Sequence, residues 1–206
     1  MDGENALALL QRQRCSPLKD KRIYMSSATD PCQPIEARLE MTRAILVELL
    51  DYHQPRLVIQ TRSPIVLRDL DLLKRFKAVQ VNMTVSTDDE QIRRVFEPIC
   101  PSLKKRLDAI TRLHQAGIAT SITMAPLLPV KDPKAFAQRL LATGVPKFII
   151  QFFHKSNRQF AARTREEAVC LAKERDWTFA AYQKTLAVLK RYIPNIIEGK
   201  PGFAPI

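Results

Sequence analysis

In the run Val79-Gln80-Val81-Asn82-Met83-Thr84-Val85-Ser86, apolar and polar side chains alternate without a break. A period of two marks a β-strand with unlike faces. Around it the chain alternates strand-like and helix-like segments with short punctuation and no low-complexity linker, an order that favours parallel strands joined by helices. A parallel strand covered by helices on both sides would read as a nearly continuous apolar run. The alternation therefore puts helices over one face only, above Val79, Val81, Met83 and Val85. Gln80, Asn82, Thr84 and Ser86 then turn toward a wet interior, where Ser121 and Thr123 of the next strand and Gln151 of the last can join them. An α/β partial (β/α) barrel of parallel strands, TIM-barrel-like, fits this pattern. A doubly wound sheet whose polar residues are satisfied locally is the alternative.

Five strands are expected, over residues 23–28, 57–61, 79–86, 119–125 and 148–153, with helices in the gaps. Met41, Ile45, Leu46, Leu49 and Leu50 form an apolar stripe at helical spacing, as do Leu107, Ile110 and Leu113. Ser102 is placed to cap the second of these helices and Gly117 to stop it. Further helices are expected over 165–174 and 178–192, followed by an irregular Gly/Pro tail over 194–206. With 206 residues and 46% apolar content, the chain can bury a full core as one domain. Its parts are an N-terminal helix and connector (1–20), strand-helix repeats (21–153), and C-terminal helices and tail (154–206).

No stretch approaches the roughly 20 apolar residues needed to span a bilayer, and residues 1–5 have neither a basic nor an apolar leader region. The expectation is a cytoplasmic protein with no membrane partner. Cys15, Cys32, Cys100 and Cys170 are dispersed singletons without metal-ligand spacing, and they read as free thiols. Lys and Arg number 33 against 21 Asp and Glu, and the net charge of +12 favours a nucleic acid or another anionic partner. Much of that charge is spread along helices. The densest loop cluster is His154-Lys155-Ser156-Asn157-Arg158, continuing to Arg163 and Arg165.

In such barrels the working residues lie at the C-terminal ends of the strands. Those positions here are Ser26-Ser27-Ala28-Thr29-Asp30, Thr61-Arg62-Ser63-Pro64, Ser86-Thr87, Met124-Ala125-Pro126 and Gln151. A ligand with an amino-acid end, a ribose and a flat base needs acceptors, a cation and an apolar platform, and these strand ends offer each type. A phosphate-binding hydrolase is disfavoured, because no Gly-rich loop or paired catalytic carboxylates stand there.

The run Tyr24-Met25-Ser26-Ser27-Ala28-Thr29-Asp30-Pro31-Cys32-Gln33-Pro34-Ile35-Glu36 resembles a signature of the radical S-adenosylmethionine (SAM) enzymes, in the branch that includes spore photoproduct lyase. Three further segments resemble that branch, in the right order. They are Thr61-Arg62-Ser63-Pro64 with Arg68-Asp69, Phe96-Glu97-Pro98 with Pro101-Ser102 and Arg106-Leu107, and Ala116-Gly117-Ile118 leading to Ala125-Pro126-Leu127-Leu128-Pro129. The resemblance implies S-adenosylmethionine as cofactor, with Ser26, Ser27, Thr29 and Asp30 near its amino group. Arg62 and Ser63 would lie near its carboxylate or ribose, Ser86 and Ala125 along ribose and adenine, and Arg106 within reach of the carboxylate. Two departures stand out: Arg62 where a lysine is common, and Cys32 where an aromatic residue is common.

The resemblance also implies a [4Fe–4S] cluster held by Cys-x-x-x-Cys-x-x-Cys, and that spacing is absent from this chain. The first strand and cluster loop of the family's partial barrel are thus expected to be missing, and no metal-ligating residue is assigned. Two readings of function follow. One is an N-terminally incomplete radical SAM enzyme, inactive alone. In its full-length form it would cleave S-adenosylmethionine to a 5′-deoxyadenosyl radical, in the service of DNA lesion repair by analogy with spore photoproduct lyase; its partner is then a missing N-terminal segment or the product of a split gene. The other is a non-catalytic binding or interaction module derived from the same barrel.

Overall fold

The computed structural model describes residues 6–26, 29–152, 166–199 and Phe203. The strands are β1 (Arg22–Met25), β2 (Arg56–Thr61), β3 (Ala78–Thr84), β4 (Ala119–Leu127), β5 (Phe148–Phe152) and β6 (Ile196–Glu198). The helices are α1 (Ala6–Arg12), α2 (Glu36–Leu39), α3 (Met41–Glu48), α4 (Leu70–Leu73), α5 (Glu90–Phe96), α6 (Leu103–Gln115), α7 (Pro133–Leu141), α8 (Glu166–Glu174) and α9 (Phe179–Tyr192). All six strands form one open parallel sheet in sequence order. Right-handed crossovers that always step the same way put every connecting helix on one face and curl the sheet around the other. A doubly wound sheet needs a reversal of strand order, and the order here has none.

The convex face is apolar for the reason the alternation gives. Val81, Met83 and Val85 are buried in one core with Ile122, Met124 and Ile150, under Ile110 and Leu113 of α6 and Phe136 and Leu140 of α7. Helix α6 starts where Ser102 Oγ accepts the Lys105 amide at 3.4 Å, and the chain turns away at Gly117, whose φ of +84° suits a residue without Cβ. Its inward stripe buries Leu103, Ala109, Ile110 and Leu113, each of the large side chains contributing roughly 1.5–3 kcal/mol. Arg106 lies in the same stripe.

The concave face is polar, as expected, yet it is closed to water. Gln80, Asn82, Thr84, Ser121 and Thr123 are all buried. Gln60 Nε2 donates to Thr84 Oγ1 at 2.5 Å and to Thr123 Oγ1 at 2.8 Å, and Tyr24 Oη donates to Gln60 Oε1 at 3.1 Å. One layer down, Gln80 Nε2 and Ser121 Oγ both donate to Asn82 Oδ1, while Asn82 Nδ2 reaches the Phe203 carbonyl at 2.9 Å. The polar row therefore satisfies itself across strands instead of facing solvent, which removes the desolvation penalty of burying it. Gln151 does not join this lattice; it is half-buried beside Phe179 and Tyr182 of α9.

Two other expectations change. The tail after Pro194 is not wholly irregular, because Ile196–Glu198 adds β6 to the sheet beside β5, giving six strands among the described residues instead of five. Three residues carry no readable period, so only pairing with β5 reveals them. The first strand stops at Met25, where Ser26 takes a φ of +115°, and Ser27 and Ala28 lie outside the described residues, as does the basic loop over 154–165. Among the described residues β1 pairs on one side only, with β2.

Candidate functional site

The strand ends of β1, β2 and β3 meet on two carboxylates. Asp30, in the loop after β1, accepts the Cys32 amide and the Thr61 hydroxyl on Oδ1 at 2.8 and 2.7 Å, and the Arg62 amide on Oδ2 at 2.7 Å. Both oxygens thus serve to lock the end of β2 against the loop after β1. Thr61 Oγ1 in turn accepts the Ser63 amide at 2.9 Å, and Ser63 Oγ caps the following 3-10 turn by accepting the Ile65 amide at 3.3 Å. Asp30 is occupied by two amides and the Thr61 hydroxyl, and Ser63 Oγ by the Ile65 amide.

Glu97, at the end of α5, gathers the rest. Its Oε1 accepts from Arg62 Nε at 2.9 Å and from Ser86 Oγ at 3.2 Å, and its Oε2 lies 2.6 Å from Arg106 Nη1. Arg106 is 0% exposed and also donates from Nε to the Pro101 carbonyl and from Nη1 to the Thr84 carbonyl, at 3.0 and 3.1 Å. Neither Arg106 Nη2 nor Glu97 Oε2 has an aligned hydrogen-bond partner among the described residues. Burial alone would raise the Glu97 carboxyl, but the Arg62 guanidinium and then that of Arg106 outweigh it and hold it below the ordinary range. Arg62, 31% exposed, is the member of this group that reaches solvent.

A cleft of about 380 Å3 opens at Asp30, lined also by Met25, Ser26, Thr29, Gln33 and Thr42 among others, and the Glu97 group does not line it. The positive φ of Ser26 is an energetically unfavourable conformation for a residue with a side chain, of the sort that persists where the surroundings demand it. Ala125 stands at the end of β4 in a cis Ala125–Pro126 peptide, inside the register shift between Met124 and Leu127. Of the residues expected at the site, Asp30 and Ser63 meet through Thr61, and Arg62, Ser86 and Arg106 meet through Glu97. Ser26 and Thr29 share the cleft with Asp30. Glu97 stands in the Phe96-Glu97-Pro98 motif with no role legible from the sequence; its role follows from contacts with Arg62 and the wholly buried Arg106, both distant in sequence.

The four cysteines do not fit an iron–sulfur cluster, which needs converging thiolates. Cys15 and Cys170 are exposed on separate helical segments, and Cys100 is half-buried. Cys32 is 2% exposed within the apolar core, and burial, reinforced by the Asp30 charge, pushes its thiol up to about 12. It is therefore neither a thiolate nor a surface presented to the cleft. Among the described residues no group of three or more His, Cys, Asp and Glu side chains is arranged to hold a metal ion. Also among them, no helix is long and apolar enough to cross a membrane.

An open parallel barrel with polar strand ends defines a class of α/β proteins that bind ligands at the mouth. The chain belongs to the Radical SAM superfamily, whose family model matches residues 1–140. An uncharacterized protein of Methanocaldococcus jannaschii is 37% identical over 108 residues, covering 52% of this chain and 41% of that protein. Among solved structures, a spore photoproduct lyase variant with bound AdoMet and dinucleoside spore photoproduct superposes with a TM-score of 0.59 at 12% identity, covering 93% of this chain and 64% of the other. Streptococcus suis SuiB bound to its precursor peptide SuiA gives 0.62 at 10% identity, covering 96% and 42%. These two likenesses establish the shared partial-barrel fold. The chain spans about half the length of the curated relatives it matches. The superfamily works with S-adenosylmethionine and a [4Fe–4S] cluster.

Proposed function

We propose that this chain supplies the S-adenosylmethionine cradle of a radical SAM enzyme. The observation that carries the reading is the convergence of the β1, β2 and β3 ends on Asp30 and Glu97, with Asp30 also lining an open cleft. Arg62, partly exposed and steadied by Glu97, meets the methionyl carboxylate with a planar fork, which suits a carboxylate as well as the lysine common in the family does. Ser26 and Thr29 face the amino group, and Ala125 borders the adenine. Asp30, Ser63, Ser86 and Arg106 act one step back, holding the loops and the Arg62 side chain in place.

Cleavage of the sulfonium, and with it repair of a DNA lesion or attack on another anionic substrate, belongs to the whole enzyme. A [4Fe–4S] cluster would supply the electron for that cleavage. Its thiolates are not among this chain's cysteines, so in this reading they come from a segment or subunit outside the present sequence. The poor fit of the cysteines equally suits a barrel that binds and does not react.

Titration calorimetry with S-adenosylmethionine and S-adenosylhomocysteine tests the cradle. Saturable heat is expected, weakened about tenfold or more by Arg62→Ala through loss of a charge-assisted contact. Asp30→Ala is expected to weaken it as well. No heat at millimolar ligand, or unchanged affinity in both variants, would sink the assignment. Anaerobic reconstitution with iron and sulfide separates the two readings: the chain alone is expected to hold no four-iron cluster, and with a Cys-x-x-x-Cys-x-x-Cys peptide added, a cluster that co-elutes with the chain, beyond what the peptide forms alone, is expected only if the enzyme reading is right.

A further inference from the structure

A second cleft, of about 500 Å3, lies on the same rim of the sheet, between the loops that follow β3 and β4 and the start of α9. Its floor is rigid. The Ser86 carbonyl accepts the Leu128 amide at 2.9 Å, Thr87 Oγ1 donates to the Pro129 carbonyl at 2.5 Å, and Asp88 accepts the Lys131 and Asp132 amides at 2.8 and 2.9 Å. Trp177 forms one wall, fixed by its indole N–H on the Leu127 carbonyl at 3.2 Å.

Three cations from separate elements face this space: Lys131, Arg175 and Lys184. Lys131 is held twice, by its backbone on Asp88 and by its ammonium 3.2 Å from Asp89 Oδ2. Asp89 is 4% exposed, and Oδ2 has no aligned hydrogen-bond donor among the described residues. Burial alone would raise its carboxyl, but the Gln91 amide and Lys131 hold it below the ordinary range, so it remains the counter-charge that orients Lys131. It is the one carboxylate among the residues lining the cleft, and Arg175 and Lys184 have no acidic partner there. Three cations against Asp89 in the lining and Asp88 in the floor leave a net positive charge, which suits an anionic ligand such as a phosphate monoester.

We propose that this cleft is a binding site for a phosphate-bearing ligand of nucleotide size, with Lys131, Arg175 and Lys184 as the phosphate contacts. The cleft volume lies within the range of about 300–1,000 Å3 typical of small-molecule sites. A guanidinium from the turn before α9 can take two phosphate oxygens at once, and the two ammonium groups approach from either side. The two clefts share no lining residue, although Ser86 links the floor of this one to Glu97 of the proposed S-adenosylmethionine cradle, and neither assignment depends on the other. A free nucleotide and a nucleotide within a strand present the same phosphate chemistry.

Trp177 is the sole tryptophan of the chain, so its emission reports on this cleft directly. The full chain is titrated with ADP and with a short single-stranded oligonucleotide lacking terminal phosphates, read by Trp177 fluorescence and by calorimetry. Saturable binding is expected for at least one of them. ADP binding alone assigns the site to free phosphates, and oligonucleotide binding alone to backbone phosphates. Arg175→Ala and Lys184→Ala should each weaken binding about tenfold, Lys184→Arg should retain most of it, and affinity should fall with added salt. Lys74→Ala, on another helix end, should change nothing. Absence of saturable binding to either probe would overturn the proposal, as would equal affinity in Arg175→Ala and Lys184→Ala, or displacement of the probe by S-adenosylmethionine. Failure of S-adenosylmethionine to bind the wild-type chain would sink the cradle and leave this site standing.

Discussion

Two stretches of the same rim treat positive charge in opposite ways. At the mouth formed by β1, β2 and β3, Arg62 and Arg106 end on one carboxylate, Glu97, and Arg106 is wholly buried. In the cleft between the β4 loop and α9, Lys131 leans on Asp89 while Arg175 and Lys184 face open space. The difference teaches what each arginine or lysine can be used for. A charge withdrawn from water must keep its counter-ion, so it fixes geometry; a charge left at the surface exchanges water for a ligand at little cost.

The sharpest way to break this comparison is to remove the hub. Glu97→Ala leaves two guanidiniums facing each other without a counter-charge and should destabilise the fold by about 3–5 kcal/mol, measured as a shift of the urea midpoint. Lys184→Ala should leave that midpoint in place. Equal shifts in the two variants would erase the distinction between the two stretches.

Acid sharpens it next. Because the folded-state carboxyl of Glu97 lies below its ordinary value, it contributes stability that is present above the unfolded-state value of about 4.3 and lost as pH falls through the lower folded value. The wild type should therefore lose unfolding free energy below about pH 4, and Glu97→Gln should show a smaller loss over the same window. Parallel profiles for the two proteins would mean that other carboxylates carry the effect.

The thiols give a smaller contrast between the same mouth and the periphery. At pH 8, Cys15 and Cys170 should react rapidly with a disulfide reagent, while Cys32, buried with its thiol near 12, should react roughly a hundredfold slower or only on unfolding. A Cys15→Ser, Cys170→Ser double variant should lose the fast phase. Rapid labelling of Cys32 in the folded protein would show that the loop after β1 opens.

The smallest effect is expected at the outer surface. Arg43 makes two hydrogen bonds with Asp71, at 2.9 and 2.7 Å, and holds that carboxyl down to about 2, yet the pair is largely exposed. Asp71→Ala should leave the urea midpoint unchanged within error, since exposed pairs are screened by water and salt. A clear shift would mean that Arg43 is needed to satisfy the buried Asp69, which it also contacts at 3.0 Å.

Much of the fold was legible because its determinants are local. The alternation in β3, the stripe of α6 with its Ser102 cap and Gly117 stop, and the order of strand and helix follow from neighbours within a few residues. The family resemblance is likewise local, carried by four short motifs in order. What needed the tertiary structure is whatever depends on partners distant in sequence. The concave polar row is dry because Gln60, Thr84 and Thr123 meet across strands, and the last strand exists because Ile196 finds Phe148. Asp30 became a clamp on the β2 end, and Glu97 became the centre of the mouth, because burial made each charge and each amide find a partner. A sequence names the groups that can pair, but the energetic penalty for leaving them unpaired arises only once the fold has excluded water.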